Sequence, residues 1–97
     1  MGNRLNNKVA LITGGAAGFG KGTAAVFARE GAKVYISDIN KEGGEKVAEE
    51  LGINFLEHDV TDADRWQEVI EEIKTNENQL NVLVNNAGIG YMGDVEG

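Results

Sequence analysis

The residues best suited to chemistry lie between Thr13 and Thr23, in the stretch TGGAAGFGKGT. A glycine-rich turn lets main-chain N–H groups approach an anion closely, and this one can be parsed in two ways. As Thr13-Gly14-x-x-x-Gly18-x-Gly20 it would cradle the pyrophosphate of a dinucleotide; as Gly15-x-x-x-x-Gly20-Lys21 it is most of a triphosphate loop. A triphosphate loop needs Ser or Thr directly after its lysine, because that hydroxyl ligates magnesium. Gly22 stands there instead, and Thr23 comes one residue late, about 100° further round a helix. Asp38 and Asp59 are formal candidates for a magnesium-holding acid, but neither ends an apolar strand with an obvious magnesium role.

The dinucleotide parsing makes further demands, and the sequence meets them. Gly14 would make the tight exit from a strand, Gly18 would let the backbone approach the pyrophosphate, and Gly20 would let the following helix pack closely on the sheet. The helix N-terminus then supplies N–H groups and the positive end of a dipole. An acidic residue should end the next strand about 20 positions on, and Asp38 lies there, able to accept from both ribose hydroxyls. A 2′-phosphate beside that carboxylate would cost on the order of 4 kcal/mol at an effective dielectric of about 20. Half of that already disfavours NADP more than tenfold. No Arg or Lys at Gly15 to Ala17, or at Ile39 and Asn40, offsets the charge, so NAD is the expected cofactor. Asp38 also has a plainer reading, as a turn residue leading into a helix.

Four short apolar runs and three helical patterns must position these residues. Lys8 to Thr13, KVALIT, is apolar at four consecutive positions, as in a parallel strand covered on both faces. A helix is expected from about Gly18 to Glu30, ended by Gly31, and Lys33 to Asp38 reads as the second strand. Asn40 is suited to cap a helix running to about Leu51 and closed by Gly52, although Gly43 and Gly44 each weaken it by roughly 1 kcal/mol. Ile53 to Val60, INFLEHDV, supplies the third strand. Thr61 is expected to cap the next helix, where Trp66, Val69, Ile70 and Ile73 form one apolar stripe. Leu80 to Asn86 supplies the fourth strand, and Ala87-Gly88 turns out of it.

The order β-α-β-α-β-α-β implies an α/β fold with right-handed crossovers, the N-terminal half of a doubly wound, Rossmann-like parallel sheet. Its strands would lie 3-2-1-4, with the first two helices on one face and the Trp66 helix on the other. Ligands bind where such a sheet reverses its winding, at the carboxyl ends of the strands, which is where the glycine turn falls. After Gly88 only IGYMGDVEG remains, too short for another helix and strand. The strand at Val82 to Val84 would then be an uncovered sheet edge.

Bulk properties narrow the partners. A chain of 97 residues is one domain at most, and 41% hydrophobic content with 26% charge is that of a water-soluble protein with no run long enough to span a bilayer. A net charge of −7 argues against nucleic acid, whose binding depends on Lys and Arg. With no cysteine there is no disulfide framework or thiolate metal site, and with no leader pattern the expected compartment is the cytoplasm. The lone His58 reads as a strand-end polar residue, and no metal site is expected.

In NKVALITGGAAGFG, GAKVYISDIN, HDVTD and NVLVNNAG, in that order, the chain resembles the N-terminal half of the classical short-chain dehydrogenases/reductases over essentially its whole length. The resemblance implies an NAD-dependent oxidoreductase transferring hydride between cofactor and an alcohol or carbonyl. Gly14, Gly18, Phe19 and Gly20 correspond to the cofactor loop, with Phe19 where the family usually has Ile or Leu. Asp38, followed by Ile39, corresponds to the NAD-selecting acid, and Asp59 and Val60 to the pair that contacts adenine. Asn85 resembles an asparagine that stabilises the central strands, while Asn86, Ala87 and Gly88 line the cofactor. Read without the family, Asp59 is equally a helix-leading acid and the Asn-Asn-Ala-Gly motif a strand-ending turn.

The family's chemistry depends on a Tyr-x-x-x-Lys pair, because a tyrosine with a pKa near 10 must be pushed toward neutrality by an adjacent cation. Here Tyr35 is followed four on by Ile39, and Tyr91 by Val95, so no catalysis is expected from the 97 residues alone. Ser37, His58 and Asp59 could mimic a hydrolytic triad at neighbouring strand ends, but no Gly-x-Ser-x-Gly elbow accompanies them. Three readings stand: the cofactor half of an NAD-dependent dehydrogenase, a stand-alone nucleotide-binding module, and an inactive truncation. A small-molecule alcohol or carbonyl is the expected substrate of the parent protein, and homo-oligomers are open only to its full-length form.

Overall fold

The computed structural model describes residues 5–16, 18–59 and 61–85. β1 (Val9–Thr13), β2 (Lys33–Asp38), β3 (Asn54–Glu57) and β4 (Val82–Asn85) form one parallel sheet in the order β3-β2-β1-β4. The helices α1 (Gly18–Arg29), α2 (Lys41–Leu51) and α3 (Ala63–Glu77) make the crossovers. This is the doubly wound arrangement expected from the alternation of elements. Every residue of β1 is buried, which explains its unbroken apolar character: the strand has β2 and β4 beside it and a layer packed on each face.

Side-chain alternation along the strands sorts the core in two. Val9 and Leu11 of β1 and Tyr35 of β2 meet Val69 and Ile73 of α3, with Leu56, Trp66, Ile70 and Leu83 packed around them. Ile12, Val34 and Ile36 face the other way, onto Ala24 of α1 and Val47 and Ala48 of α2, with Phe55 and Val84 beside them. Val69 and Ile73 are fully buried, and removing such a side chain from water stabilises the fold by about 1.5–3 kcal/mol. Gly44, a helix weakener by propensity, has a packing reason: a Cβ there would overlap the Phe55 ring, so glycine is what lets α2 lie against β3.

Several boundaries depart from the sequence-based expectation. Asp62, not Thr61, caps α3, its Oδ1 accepting from the N–H groups of Asp64 and Arg65, both at 3.1 Å. The N–H and hydroxyl of Thr61 instead donate to Asp59 Oδ1 at 3.0 and 2.7 Å, so Thr61 is occupied one turn earlier. β3 ends at Glu57 rather than Val60, and β4 begins at Val82 rather than Leu80, because Leu80 turns into the α3 cluster. Asn40 and Gly52 cap α2 as expected, Asn40 Oδ1 accepting from Gly43 N and Gly52 adopting a left-handed φ of 71°.

Candidate dinucleotide-binding site

β1 lies between β2 and β4, so the turn that follows it opens at the point where the winding reverses. Gly14 N and Gly15 N both donate to Ser37 O, at 2.7 and 3.1 Å, and the turn is thereby folded over the end of β2. A Cβ at Gly15 would lie 2.6 Å from Ile36 Cβ, too close for any side chain. Gly18 opens α1 with φ of 62°, and a Cβ built there meets nothing within 4 Å: the backbone faces open space. The first-turn N–H groups of α1 have no intrahelical partners and sit at the positive end of the helix dipole. Gly20 is buried under the same turn, and Phe19 stands 85% exposed beside it. This loop suits an anionic group approaching along the backbone. Lys21, the cation of the triphosphate parsing, has its Nζ 3.2 Å from Glu50 Oε1 of α2.

Asp38 closes the neighbouring side. Its Oδ2 accepts the N–H of Ala16, in the glycine turn, at 3.0 Å, and its Oδ1 accepts the N–H of Asn40 at 2.9 Å. The carboxylate is thus aimed by two backbone groups of different segments. Each oxygen retains a second lone pair for another donor.

A second cluster gathers at the ends of β2 and β3. Ile39, Glu57, His58, Asp59 and Arg65 line a shallow cleft of about 310 Å³. The Thr61 hydroxyl and N–H, donating to Oδ1, hold the Asp59 carboxyl below its ordinary range, so it stays an acceptor. Ile39 presents a 65% exposed apolar side chain to solvent. Val60, Asn86, Ala87 and Gly88, expected to contribute to the cofactor site, lie outside the described residues.

Below this cleft the structure forms part of the triad that the sequence suggested as a mimic. Ser37 Oγ and His58 Nδ1 lie 3.1 Å apart, but Ser37 is fully buried and the carboxylate of Asp59 is turned to Thr61. Neither Ser37 nor His58 is exposed. The imidazole packs edge-to-face on Trp66 with ring centroids 4.5 Å apart, and Nε2 has no hydrogen-bond partner among the described residues. Burial, followed by the nearby Arg65 cation, pushes the His58 pKa down, so the ring is a neutral strut between Ser37 of β2 and Trp66 of α3. Tyr35 is buried at the far end of the sheet, its hydroxyl donating to Glu77 Oε2 at 2.7 Å. Burial and that acid raise its pKa, the opposite of what a catalytic tyrosine needs.

Two contributors escaped the sequence reading. In the dinucleotide parsing Gly15 and Ala16 are spacer positions, yet Gly15 sets the clearance to β2 and Ala16 holds Asp38. The doublet Gly14-Gly15 was the available signal, since the turn needs only one of the two for its φ of 69°. Thr13 Oγ1 also donates to Asn85 Oδ1 at 2.9 Å, joining β1 to β4 beneath the turn.

The family model described as short chain dehydrogenase matches residues 8–96, which takes in the glycine turn, Asp38 and Asp59 together. The chain belongs to the short-chain dehydrogenase family. Members bind a nicotinamide cofactor. The chain is 48% identical over 98 residues to a 3-beta-hydroxysteroid dehydrogenase of Comamonas testosteroni, covering 99% of this chain and 39% of that one. It is 43% identical over 91 residues to a cyclopentanol dehydrogenase of Comamonas sp. (strain NCIMB 9872), covering 89% of this chain and 36% of the relative. Among solved structures, a 3-ketoacyl-(acyl-carrier-protein) reductase from Brucella melitensis complexed with NADH superposes with a TM-score of 0.83 at 42% identity. That match covers 90% of this chain and 36% of the reductase. The chain therefore spans well under half the length of these short-chain dehydrogenase relatives.

Proposed function

We propose that this chain is the NAD-binding portion of a dehydrogenase that moves hydride between NAD and a small alcohol or carbonyl substrate. The observation that carries the reading is the Asp38 carboxylate, held by Ala16 N and Asn40 N at the end of β2 with acceptor capacity to spare. Two ribose hydroxyls are donors that such a group can accept, whereas a 2′-phosphate there would meet a fixed like charge. The turn from Gly14 to Gly20 receives the pyrophosphate at the start of α1, and Ile39 and Asp59 receive the adenine. NAD would supply the hydride acceptor or donor, and these residues bind and orient it. The Tyr-x-x-x-Lys pair that would move the proton is absent from the 97 residues, so catalysis is assigned to a protein in which that pair lies beyond Gly97. Alcohols are the substrate class because the relatives named above include steroid and cyclopentanol dehydrogenases. A cytoplasmic setting belongs to the same proposal, the cysteine-free composition being suited to a reducing compartment.

The test is calorimetric titration of the full-length protein with NAD and with NADP, followed by assay with secondary alcohols. NAD should bind more than about tenfold tighter than NADP. Equal or reversed preference would defeat the NAD assignment, and tight NAD binding without turnover would favour a stand-alone nucleotide-binding module.

A further inference from the structure

The cleft at the ends of β2 and β3 has one wall that the family correspondence did not assign. Arg65, in the first turn of α3, donates through Nε to Glu57 O at 2.8 Å and through Nη1 to Glu68 Oε1 at 3.3 Å. Two anchors hold the guanidinium at the cleft, with its side chain 30% exposed, so little rotamer freedom remains to be lost when a ligand arrives. A planar cation is attracted to the face of an aromatic ring, and arginine planes serve as stacking surfaces for nucleobases. From the end of β2 comes the exposed apolar side chain of Ile39, and from the loop after β3 the Asp59 carboxylate. Asp59 Oδ1 already accepts twice from Thr61, while Oδ2 receives no hydrogen bond among the described residues. An apolar wall, a flat cation and a carboxylate acceptor match a neutral aromatic base that carries an amine.

The charge balance separates this ligand from an anion. Glu57 and Asp59 line the cleft and Glu68 already pairs with Arg65, so the guanidinium is outnumbered by carboxylates. A phosphate would be repelled there, whereas an uncharged ring would not.

We propose that Arg65 is a specificity-determining residue of the dinucleotide site, its guanidinium stacking on the adenine ring whose amine Asp59 Oδ2 accepts and whose apolar surface Ile39 covers. The inference rests on the NAD-binding reading above. Calorimetry on the full-length protein, with NAD, NADP, AMP and NMN as probes, tests it in the wild type and in Arg65→Ala, Arg65→Lys and Arg65→Gln. Arg65→Ala should weaken NAD and AMP by about 3- to 30-fold and leave NMN unchanged, because NMN lacks adenine. Arg65→Gln, which keeps a planar end group, should recover part of the AMP affinity, and Arg65→Lys, which keeps only the charge, should recover less. The melting temperature of each ligand-free variant identifies any loss due to the broken tie between α3 and Glu57. Unchanged AMP affinity in folded Arg65→Ala, equal loss for AMP and NMN, or a loss confined to NADP would each overturn the proposal while leaving the NAD reading intact. A wild type that binds neither NAD nor AMP would overturn both.

Discussion

At the amino end of the sheet, side chains close the chain on itself. Val9 N donates to Asn81 Oδ1 at 2.8 Å while Asn81 N returns the bond to Val9 O at 2.9 Å. Gln79 Nε2 reaches Asn7 O at 3.1 Å, and the Tyr35 hydroxyl is taken by Glu77 with Asn76 Nδ2 behind it. At the carboxyl end the acceptors are charged and only partly used. Among the described residues Asp38 accepts one bond on each oxygen and Asp59 Oδ2 accepts none, while the backbone at Gly18 is open to space. The first end holds the fold together by joining segments far apart in the chain. The second uses the same kind of bond to aim groups that a ligand can still engage.

Substitutions can break that contrast. The largest effect is expected of Gly15→Val, which would drive a side chain into Ile36 and push the turn off β2. It should cost roughly 3 kcal/mol in urea denaturation and weaken NAD binding as well, since Ala16 N would leave Asp38. At the other end, Asn81→Ala strands the buried Val9 N–H and should cost about 2 kcal/mol, with NAD affinity of the folded protein unchanged in calorimetry. A comparable fall in affinity for Asn81→Ala would erase the distinction between scaffold and site. Tyr35→Phe removes the hydroxyl that donates to Glu77 and accepts from Asn76 and should lower stability by about 1.5 kcal/mol, again without touching cofactor affinity.

The smallest effect belongs to His58 and is confined to acid. Its folded-state pKa is depressed by burial, so as pH falls through the ordinary value of 6.5 the unfolded chain takes up a proton that the folded ring refuses. Stability should therefore decline from about pH 6.5 downward, until the folded ring itself protonates, and be flat with respect to this group above neutrality. In thermal melts across that window, His58→Gln should remove the decline; an unchanged acid limb in the variant would assign it to the carboxylates instead.

Much of the architecture was legible because its signals are local. Strand runs, the stripe from Trp66 to Ile73, and the caps at Asn40 and Gly52 each depend on residues within a turn or two of one another. Misreadings occurred where neighbours compete. Thr61 and Asp62 both suit a cap, and the choice went to Asp62 because Asp59 already binds Thr61 from the other side. INFLEHDV reads as one strand on apolar pattern alone, but His58 lies past its end, its N–H on Asp38 O and its ring between Ser37 and Trp66.

By itself the sequence determined the order of elements, the parallel sheet, and the placement of the glycine turn and Asp38 at neighbouring strand ends. Hydrophobic periodicity and turn chemistry encode those features over short separations. The clearance of Gly15 over Ile36, the bond from Ala16 to Asp38, the pairing of His58 with Ser37 and the cleft shared by Ile39 and Arg65 were decided only by the tertiary structure. Each joins residues about 20 or more positions apart, and each depends on strand register, with Thr13 opposite Ser37 and Asp38 opposite Glu57. A slip of one residue in either pairing would turn those side chains to the opposite face of the sheet and dissolve the site while leaving the local sequence signals intact.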